Sequence, residues 1–160
     1  MKIGQSVDIH RLVENRKLIL AGVKIPYSLG LLGHSDADAL SHAIAEAIIG
    51  ALSLGDLGSH FPDDDKKNQD RCSLEILKEV YLLMDSLGYK IGNIDSLIMI
   101  EEPKMAPYIA LMIDNIAESL NCSTNVVNVK ATRGEGLGFV GEKKGVVALA
   151  TVLLKGKEDD

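Results

Sequence analysis

Two histidines and one aspartate in the first part of the chain have the residue types and spacing of a metal site. Asp8 and His10 flank Ile9, so on a β-strand the carboxylate and the imidazole lie on one face and Ile9 on the other. His42 falls on a predicted helix that can reach this face. Two imidazoles and one carboxylate with an open fourth position form the ligand set of a catalytic zinc site. The competing interpretation is that the histidine of this strand is an ordinary surface or core residue and binds no metal.

The helix that carries His42 also carries acidic residues at helical spacing. Asp38, His42 and Glu46 recur at positions i, i+4 and i+8, which places them in one polar line on an otherwise apolar helix. Either this line faces solvent, or the two carboxylates flank a metal ligand and orient its ring. The sequence leaves both interpretations open.

Residues suited to phosphate occur in two loops. His34 and Ser35 precede the predicted helix, whose N-terminal backbone N–H groups favour anions, although a simple capping loop has the same sequence. The second loop, residues 133–139 (RGEGLGF), contains three glycines that let the backbone approach a ligand closely. Thr132, the arginine of the loop and open amides suit phosphate oxygens. Glu135 suits a hard divalent cation that bridges phosphates.

Two further segments allow a functional and a purely structural interpretation. Residues 102–107 (EPKMAP) join a strand to a helix, and their two prolines fix a backbone that either reads a base edge or serves as a rigid connector. Residues 61–71 (FPDDDKKNQDR) are the most polar stretch of the chain. This composition is consistent with a mobile lid and equally with a solvated surface loop.

The periodicity of apolar residues predicts the elements that position these groups. Asp36 or Asp38 is the predicted cap of the helix that carries His42. The element order, without a repeat or a break in composition, predicts a single α+β domain over residues 1–156 and a charged C-terminal tail at 157–160. Strands are expected at 2–12, 17–25, 93–101, 126–132 and 145–154, and helices at 38–52, 72–87 and 106–120.

Two predicted strands indicate that both faces of the sheet are covered. SLIMI (96–100) and VVALATVLL (146–154) are apolar at consecutive positions, as in strands that are buried on both sides. Three helices can cover one face of a mixed sheet of about five strands. A closed homo-oligomer that packs sheet against sheet would cover the other face, and the alternative is a sheet sandwiched by its own helices.

Composition excludes several classes of function. The 160 residues include 17 Lys+Arg and 23 Asp+Glu, giving a net charge of −6, which disfavours a nonspecific binder of nucleic acid or anionic membranes. No apolar run approaches the roughly 18 residues of a membrane span. The first ten residues, MKIGQSVDIH, lack the features of a signal or transit peptide. Two cysteines, Cys72 and Cys122, fit a reducing compartment, so we expect a cytoplasmic protein.

Together, five segments resemble the 2-C-methyl-D-erythritol 2,4-cyclodiphosphate synthase family. They follow the family's order and spacing across essentially the whole chain: DIHRL (8–12), GHSDADALSHA (33–43), GDLGSHFPDDD (55–65), EEPKM (101–105) and NVKATRGEGLGFVG (128–141). The resemblance implies an α+β protomer with helices on one face of a mixed sheet. It also implies a homotrimer with sheets packed around a three-fold axis and active sites between neighbouring subunits.

The resemblance further implies a phosphorus–oxygen lyase of the non-mevalonate route to isoprenoids. Its substrate, 4-diphosphocytidyl-2-C-methyl-D-erythritol 2-phosphate, closes to 2-C-methyl-D-erythritol 2,4-cyclodiphosphate and releases CMP. The implied cofactors are Zn²⁺ on Asp8, His10 and His42 and a second divalent cation, Mg²⁺ or Mn²⁺, near Glu135. The only other implied partners are the CDP-linked substrate and the neighbouring subunits, with neither nucleic acid nor membrane.

The family's motifs also imply the roles of individual residues. His34, Arg133 and Glu135 are implied to be catalytic, and the segment 100–106 with Thr132 to receive cytidine from the adjoining subunit. The full set implied to bind the substrate comprises Asp8, His10, His34, Ser35, Asp56, Leu57, Gly58, Phe61, Pro62, Asp63, Asp64, Asp65, Ile100, Glu101, Glu102, Pro103, Lys104, Met105, Ala106, Thr132, Arg133, Gly134, Glu135 and Phe139.

Three positions depart from the family's pattern. Arg133 stands where a threonine assigned to transition-state stabilisation is usual, Glu142 where an arginine is usual, and Val7 where a phenylalanine is frequent. The last two line the family's axial cavity for isoprenoid diphosphates, so a carboxylate at position 142 predicts a protein without that effector site. Two other hypotheses compete with the synthase activity. One is a trimeric module that binds the nucleotide without turnover, and the other is a zinc hydrolase that acts on another phosphate ester.

Overall fold

A computed structural model describes residues 1–62 and 71–158. Its strands are β1 (Lys2–Val13), β2 (Leu18–Leu20), β3 (Val23–Ile25), β4 (Gly30–Leu31), β5 (Tyr89–Met99), β6 (Val127–Thr132) and β7 (Gly145–Gly156). Its α-helices are α1 (Ala39–Ala51), α2 (Leu57–His60), α3 (Ser73–Ser86), α4 (Ile109–Ser119) and α5 (Gly138–Gly141). The fold is a single α+β domain, as the sequence predicts. Within the described ranges, no helix is long and apolar enough to cross a membrane.

A five-stranded mixed sheet in the order β4-β1-β7-β5-β6 organises the domain. The central strand β7 pairs antiparallel with both β1 and β5, while β6 runs parallel to β5 at one edge. The register aligns Asp8, Ala148, Ile98 and Ala131 in one row across four strands. This row determines how far the candidate metal ligands of β1 lie from the candidate substrate-binding residues at the end of β6.

One face of the sheet packs against α1. Gly4 and Ser6 of β1 are buried on this face, and Asp8 and His10 follow on it because side chains alternate along a strand. A Cβ atom at Gly4 would lie 1.8 Å from the carbonyl oxygen of Ala47, so only glycine permits helix and strand to approach so closely. The helix thereby brings its polar side chains to the face that carries Asp8 and His10.

The opposite face of the sheet is apolar and partly exposed. Ile3, Val7 and Ile9 of β1 are 73%, 48% and 57% exposed. Leu97 of β5 and Leu149 of β7 pair with each other on this face and are half-buried. Within the described residues the alternative of a sheet sandwiched by its own helices is therefore wrong, and the cover of this face by a second chain stays a prediction.

Several predicted boundaries are wrong. The strand expected at 17–25 is a hairpin, because Ala21 and Gly22 adopt positive φ angles of 47° and 70° and reverse the chain between β2 and β3. The helix expected at 106–120 begins with a 3-10 turn at Ala106–Tyr108 that contains Pro107. The short elements β4, α2 and α5 were not predicted, since two to four residues carry too little periodicity.

The last described residues are attached to the domain. The backbone N–H of Lys157 donates to the carbonyl of Gly88 at 2.9 Å, and its Nζ atom lies 2.5 Å from Oδ1 of Asp85. The first position of the predicted tail at 157–160 is thus held by the end of α3.

Candidate metal centre and active site

Asp8, His10 and His42 converge as their spacing predicts. One ligand atom from each lies within 4.8 Å of the other two. Nε2 of His10 is 3.0 Å and Nδ1 of His42 is 3.3 Å from the same atom, Oδ2 of Asp8. The alternation of β1 supplies the first two groups, and the packing of α1 on β1 supplies the third. The interpretation of His10 and His42 as unrelated surface or core residues is therefore wrong.

The other nitrogen of each ring is held from outside the cluster. Nδ1 of His10 lies 2.7 Å from the carbonyl oxygen of Leu32, and this nitrogen carries the proton because a carbonyl only accepts. Nε2 of His42 lies 2.8 Å from the hydroxyl of Ser73 and 3.4 Å from that of Ser35. The remaining nitrogens, Nε2 of His10 and Nδ1 of His42, both face Oδ2 of Asp8. When their protons are displaced, these two nitrogens and the carboxylate are three acceptors of protons or of a metal ion. Such a set of acceptors fits a divalent cation.

The electrostatics keep the carboxylate available as a ligand. Burial opposes ionisation of Asp8, but hydrogen bonds and charge interactions with His10 and His42 outweigh it and hold the pKa of Asp8 well below its usual value. Burial likewise opposes protonation of His10, yet the Asp8 carboxylate outweighs it and raises the pKa of His10 above its usual value. Asp8 is therefore ionised at neutral pH and available as a ligand.

Neither interpretation of the polar line on α1 is correct. Asp38 is fully buried and caps α1 by accepting the N–H of Ser41 at 3.0 Å, and it also accepts the N–H of Gly22 in the hairpin at 2.7 Å. Glu46 accepts the hydroxyl of Ser6 at 2.6 Å. These carboxylates are therefore engaged elsewhere in the fold, and neither orients His42. The outer nitrogen of His42, Nε2, contacts Ser73 of α3 instead. Ser73 was missed because it lies 31 residues from His42 and no local pattern marks it.

A cavity of about 280 Å³ opens onto the three ligands. Its lining brings the cluster together with His34 and Ser35 from the loop before α1, and with Leu57, Gly58 and Phe61 around α2. Asp56 caps α2, with its Oδ1 atom 2.8 Å from the N–H of Ser59. The implied contacts Asp63, Asp64 and Asp65, and most of the segment interpreted as a lid or surface loop, lie outside the described residues.

A second cavity, of about 200 Å³, contains most of the residues implied to receive cytidine. Its lining consists of Ile100, Glu101, Pro103, Lys104, Met105, Ala106, Ala131, Thr132 and Arg133. Glu101, whose side chain is only 8% exposed, accepts the N–H of Gly134 at 2.8 Å and lies 3.2 Å from Nη2 of Arg133. Glu102 instead pairs with Lys143 at 2.9 Å.

The two cavities are separated within one protomer. Two strands, β7 and β5, stand between β1 and β6, which puts the ends of the row from Asp8 to Ala131 about 14 Å apart. Thr132 pairs with Met99 in the row that contains Ile9, so its side chain lies on the exposed face, opposite Asp8. The metal cluster and the second cavity are therefore not brought together by a single chain.

Glu142, one of the three residues that depart from the family's pattern, precedes two lysines that line a third cavity. Glu142 is exposed and forms an ion pair with Lys144. This cavity, of about 490 Å³, is lined in part by Ile9, Arg11, Phe139, Lys143 and Lys144. Glu135 and Phe139 are exposed, and Glu135 adopts a left-handed backbone conformation with φ 54°. The expected absence of an effector site stays a prediction.

The YgbB family profile matches residues 1–155 of the chain. A 2-C-methyl-D-erythritol 2,4-cyclodiphosphate synthase from Clostridioides difficile is 54% identical over 154 residues, which cover 96% of each protein. The structure titled IspF from Plasmodium falciparum, a CDP complex, is 36% identical with a TM-score of 0.85, covering 98% of this chain and 96% of that one. The bifunctional IspDF of Campylobacter jejuni is 42% identical with a TM-score of 0.93, covering 97% of this chain and 42% of that one. Sequence, fold and metal cluster agree: the chain belongs to the YgbB family, with the 2-C-methyl-D-erythritol 2,4-cyclodiphosphate synthases.

Proposed function

We propose that this chain catalyses the cyclisation of 4-diphosphocytidyl-2-C-methyl-D-erythritol 2-phosphate to 2-C-methyl-D-erythritol 2,4-cyclodiphosphate with release of CMP. The observation that carries the proposal is the cluster of Asp8, His10 and His42, which opens into one cavity with His34 and Ser35. Relatives at 54% identity over nearly the whole chain carry the name of this activity. In this account the protein is a lyase of the non-mevalonate route to isoprenoids.

Zinc is the ion that we assign to Asp8, His10 and His42. Two imidazoles and one carboxylate leave a coordination position for a substrate oxygen, the arrangement of catalytic zinc sites. When bound, the ion supplies a Lewis acid that polarises a phosphoryl oxygen. Asp8 and His10 stand rigidly on β1, and His42 on α1, so the ligands meet the substrate in a fixed arrangement.

Glu135 is the residue that we assign to a second divalent cation, Mg²⁺ or Mn²⁺. Its carboxylate is exposed in the loop between β6 and α5. A hard cation such as Mg²⁺ commonly takes one or two protein carboxylates and completes its shell with water and substrate phosphates. A single exposed carboxylate next to a phosphate-binding loop suits that mode of binding.

The nucleophile is the substrate's own 2-phosphate, so the protein need not supply a general base. A phosphate monoester has a second pKa of about 6 and is largely dianionic at neutral pH. An oxygen of this group attacks the β-phosphorus, the bond from that phosphorus to the bridging oxygen breaks, and CMP leaves with the electron pair. In an intramolecular reaction, positioning alone lowers the barrier by about 7–11 kcal/mol.

His34, Ser35 and Arg133 then provide the charge compensation that phosphoryl groups need. His34 and Ser35 lie at the cavity that holds the metal ligands and can donate to phosphate oxygens there. Arg133 presents a guanidinium that is 59% exposed beside the second cavity, held on one side by Glu101. We propose that Arg133 binds the diphosphate of the substrate, at the position where the family usually has a threonine. Guanidinium groups bind phosphate oxygens in a charge-assisted and bidentate manner.

The active enzyme in this proposal is a homotrimer with sites between subunits. Ile3, Val7 and Ile9 expose an apolar sheet face that a neighbouring sheet would cover. The metal cluster and the second cavity lie in different parts of one protomer, so one substrate can contact both only if the cavities come from different chains. This arrangement assigns 2-phosphate and methylerythritol to one subunit and cytidine to the next, with residues 56–58, 61–65 and 100–106 contributing as the family's motifs imply.

Residues 1–156 form the catalytic domain in this proposal, and 157–160 contribute nothing to the site. The thiols of Cys72 and Cys122 are free, which is compatible with action in the cytoplasm.

The test is to incubate the zinc- and magnesium-loaded protein with 4-diphosphocytidyl-2-C-methyl-D-erythritol 2-phosphate and follow the reaction by ³¹P NMR. We expect equimolar CMP and cyclic diphosphate. Release of inorganic phosphate would identify a phosphate-ester hydrolase instead. Binding without any product would identify a nucleotide-binding module and would equally overturn the proposal.

A further inference from the structure

The outer nitrogen of His42 is connected to a relay of two side chains, buried Ser73 at the start of α3 and half-buried Asp36 in the loop before α1. Nε2 of His42 lies 2.8 Å from Oγ of Ser73, which is fully buried as the first residue of that helix. The same hydroxyl donates to Oδ1 of Asp36, and the backbone N–H of Ser73 donates to Oδ2 of Asp36 at 2.9 Å. Both carboxylate oxygens are therefore engaged by this one residue.

Ser73 gives the shorter of the two hydroxyl contacts to Nε2 of His42, and only one arrangement of protons satisfies the contacts of Ser73 when Asp36 is ionised. A carboxylate only accepts, so the single hydroxyl proton of Ser73 points to Asp36. The hydroxyl oxygen must then accept, and Nε2 of His42 must carry the proton that it accepts. In the neutral ring this leaves the lone pair on Nδ1, the nitrogen 3.3 Å from Oδ2 of Asp8.

The relay also holds the ring between the starts of two helices. Oδ1 of Asp36 accepts the N–H of Asp38, the cap of α1, at 3.2 Å, while Ser73 begins α3. His42 stands one turn into α1. One carboxylate thus joins the helix that carries the ligand to the helix that orients it.

We propose that Ser73 and Asp36 are positioning residues for the metal ligand His42. They select the tautomer that ligates through Nδ1 and fix the plane of the ring, and the charge of Asp36, passed through the hydroxyl, increases the electron density on the ligating nitrogen. His10 has a different arrangement, because its outer nitrogen donates to the backbone carbonyl of Leu32, which no side-chain substitution removes. The inference rests on the zinc assignment of the proposed function.

The first test measures the unaltered protein. In ¹⁵N-histidine-labelled, zinc-loaded protein, long-range ¹H–¹⁵N spectra distinguish a ring bound through Nδ1 from one bound through Nε2. We expect His42 to be bound through Nδ1 with its proton on Nε2, and His10 to show the reverse pattern. Zinc bound through Nε2 of His42 would overturn the proposal without any variant.

The second test measures zinc affinity by chelator competition in Ser73→Ala. Loss of an outer partner of a histidine ligand typically weakens metal binding about 10–100-fold, and we expect a loss in this range. The matched control is Ser119→Ala, since Ser119 is also buried in a helix but donates its hydroxyl to the carbonyl of Asn115 at 2.8 Å, away from the site. The control should bind zinc as the parent does.

The outcomes separate this inference from the proposed function. Equal zinc affinity of Ser73→Ala, Ser119→Ala and the parent would overturn the positioning role and leave the zinc assignment intact. Failure of the parent protein itself to bind zinc at the cluster would overturn both.

Discussion

Arg16 holds the backbone of Ser35. Its Nη2 atom donates to the carbonyl oxygen of Ser35 at 3.0 Å and to that of Gly33 at 3.1 Å, while Nε donates to the carbonyl of Leu31 at 3.1 Å. One guanidinium therefore binds the last carbonyl of β4 and two carbonyls of the loop that carries His34. Only the planar fork of arginine reaches several acceptors at once in this manner.

Arg16→Lys should loosen this loop while keeping the positive charge. An ammonium group cannot replace all three bonds, so we expect the free energy of unfolding to fall by about 1–3 kcal/mol. Because small displacements of a positioning loop cost up to about 100-fold in rate, kcat/KM should fall between about 10- and 100-fold. The neighbouring Lys17→Ala is the control for loss of a nearby positive charge. If both variants kept the parent's kcat/KM, the loop would not depend on Arg16.

Mixed oligomers test whether two chains build one site. We expect His42→Ala and Arg133→Ala to be nearly inactive separately, since each removes one half of the proposed site. In trimers assembled from equal amounts of both, about a quarter of the sites combine two intact halves, so activity should return to about that fraction. Activity that did not exceed the sum of the separate variants would show that both halves act within one chain.

The exposed sheet face gives a prediction about assembly. Val7 is 48% exposed on this face, so Val7→Asp would bring three carboxylates together around the axis of the proposed trimer, where like charges repel. We expect light scattering to report the parent as a trimer and the variant as a monomer. Leu111→Asp, at a side chain that is 52% exposed on α4, is the matched control and should remain trimeric. A trimeric Val7→Asp would mean that this face is not the interface.

Asp56 gives a prediction about pH. Hydrogen bonds from the side chain and backbone of Ser59 hold the pKa of Asp56 below its usual value of 3.8. The carboxylate therefore stabilises α2 above pH 3.8, and this contribution disappears as the pH falls through the lowered pKa. Asp56→Ala should have a lower Tm than the parent at neutral pH, and the difference should shrink below pH 3.8. The control for loss of a negative charge is Asp114→Ala, which removes an exposed carboxylate on α4. A difference in Tm between Asp56→Ala and the parent that does not change with pH would contradict the capping role.

Part of the metal cluster could be predicted from local sequence. Alternation on a strand is sufficient to place Asp8 and His10 on one face, but helical periodicity predicts only that His42 lies on a helix, and its place in the cluster was implied by the family's motifs. Four strands of the mixed sheet follow from the same periodicities, with the apolar runs of β5 and β7 among them, but the fifth strand, β4, is too short to be predicted in this way.

The partners that complete the site could not be predicted, since they depend on tertiary packing. Ser73 meets His42 because α3 packs beside α1, and Asp38 is withdrawn from His42 because the β2–β3 hairpin offers two backbone N–H groups to it. Likewise, the turn at Ala21 and Gly22 lies within an apolar run that reads as one strand. These features depend on contacts between residues that are distant in sequence.

His42→Ala removes one ligand and leaves a helix former in α1. We expect turnover to be lost. The fold and the oligomeric state should be retained, because the imidazole ring of His42 belongs to the metal cluster and not to the hydrophobic core. Circular dichroism and light scattering provide the control for structure. Retention of nearly the parent's rate would remove zinc from the mechanism.

The position of the bound metal tests the central claim most directly. Anomalous diffraction from crystals of the zinc-loaded protein, collected on both sides of the zinc absorption edge, locates the ion without reference to activity. The account predicts one peak per subunit within bonding distance of Oδ2 of Asp8, Nε2 of His10 and Nδ1 of His42. A map with no peak there, in crystals whose zinc content is otherwise established, would contradict it.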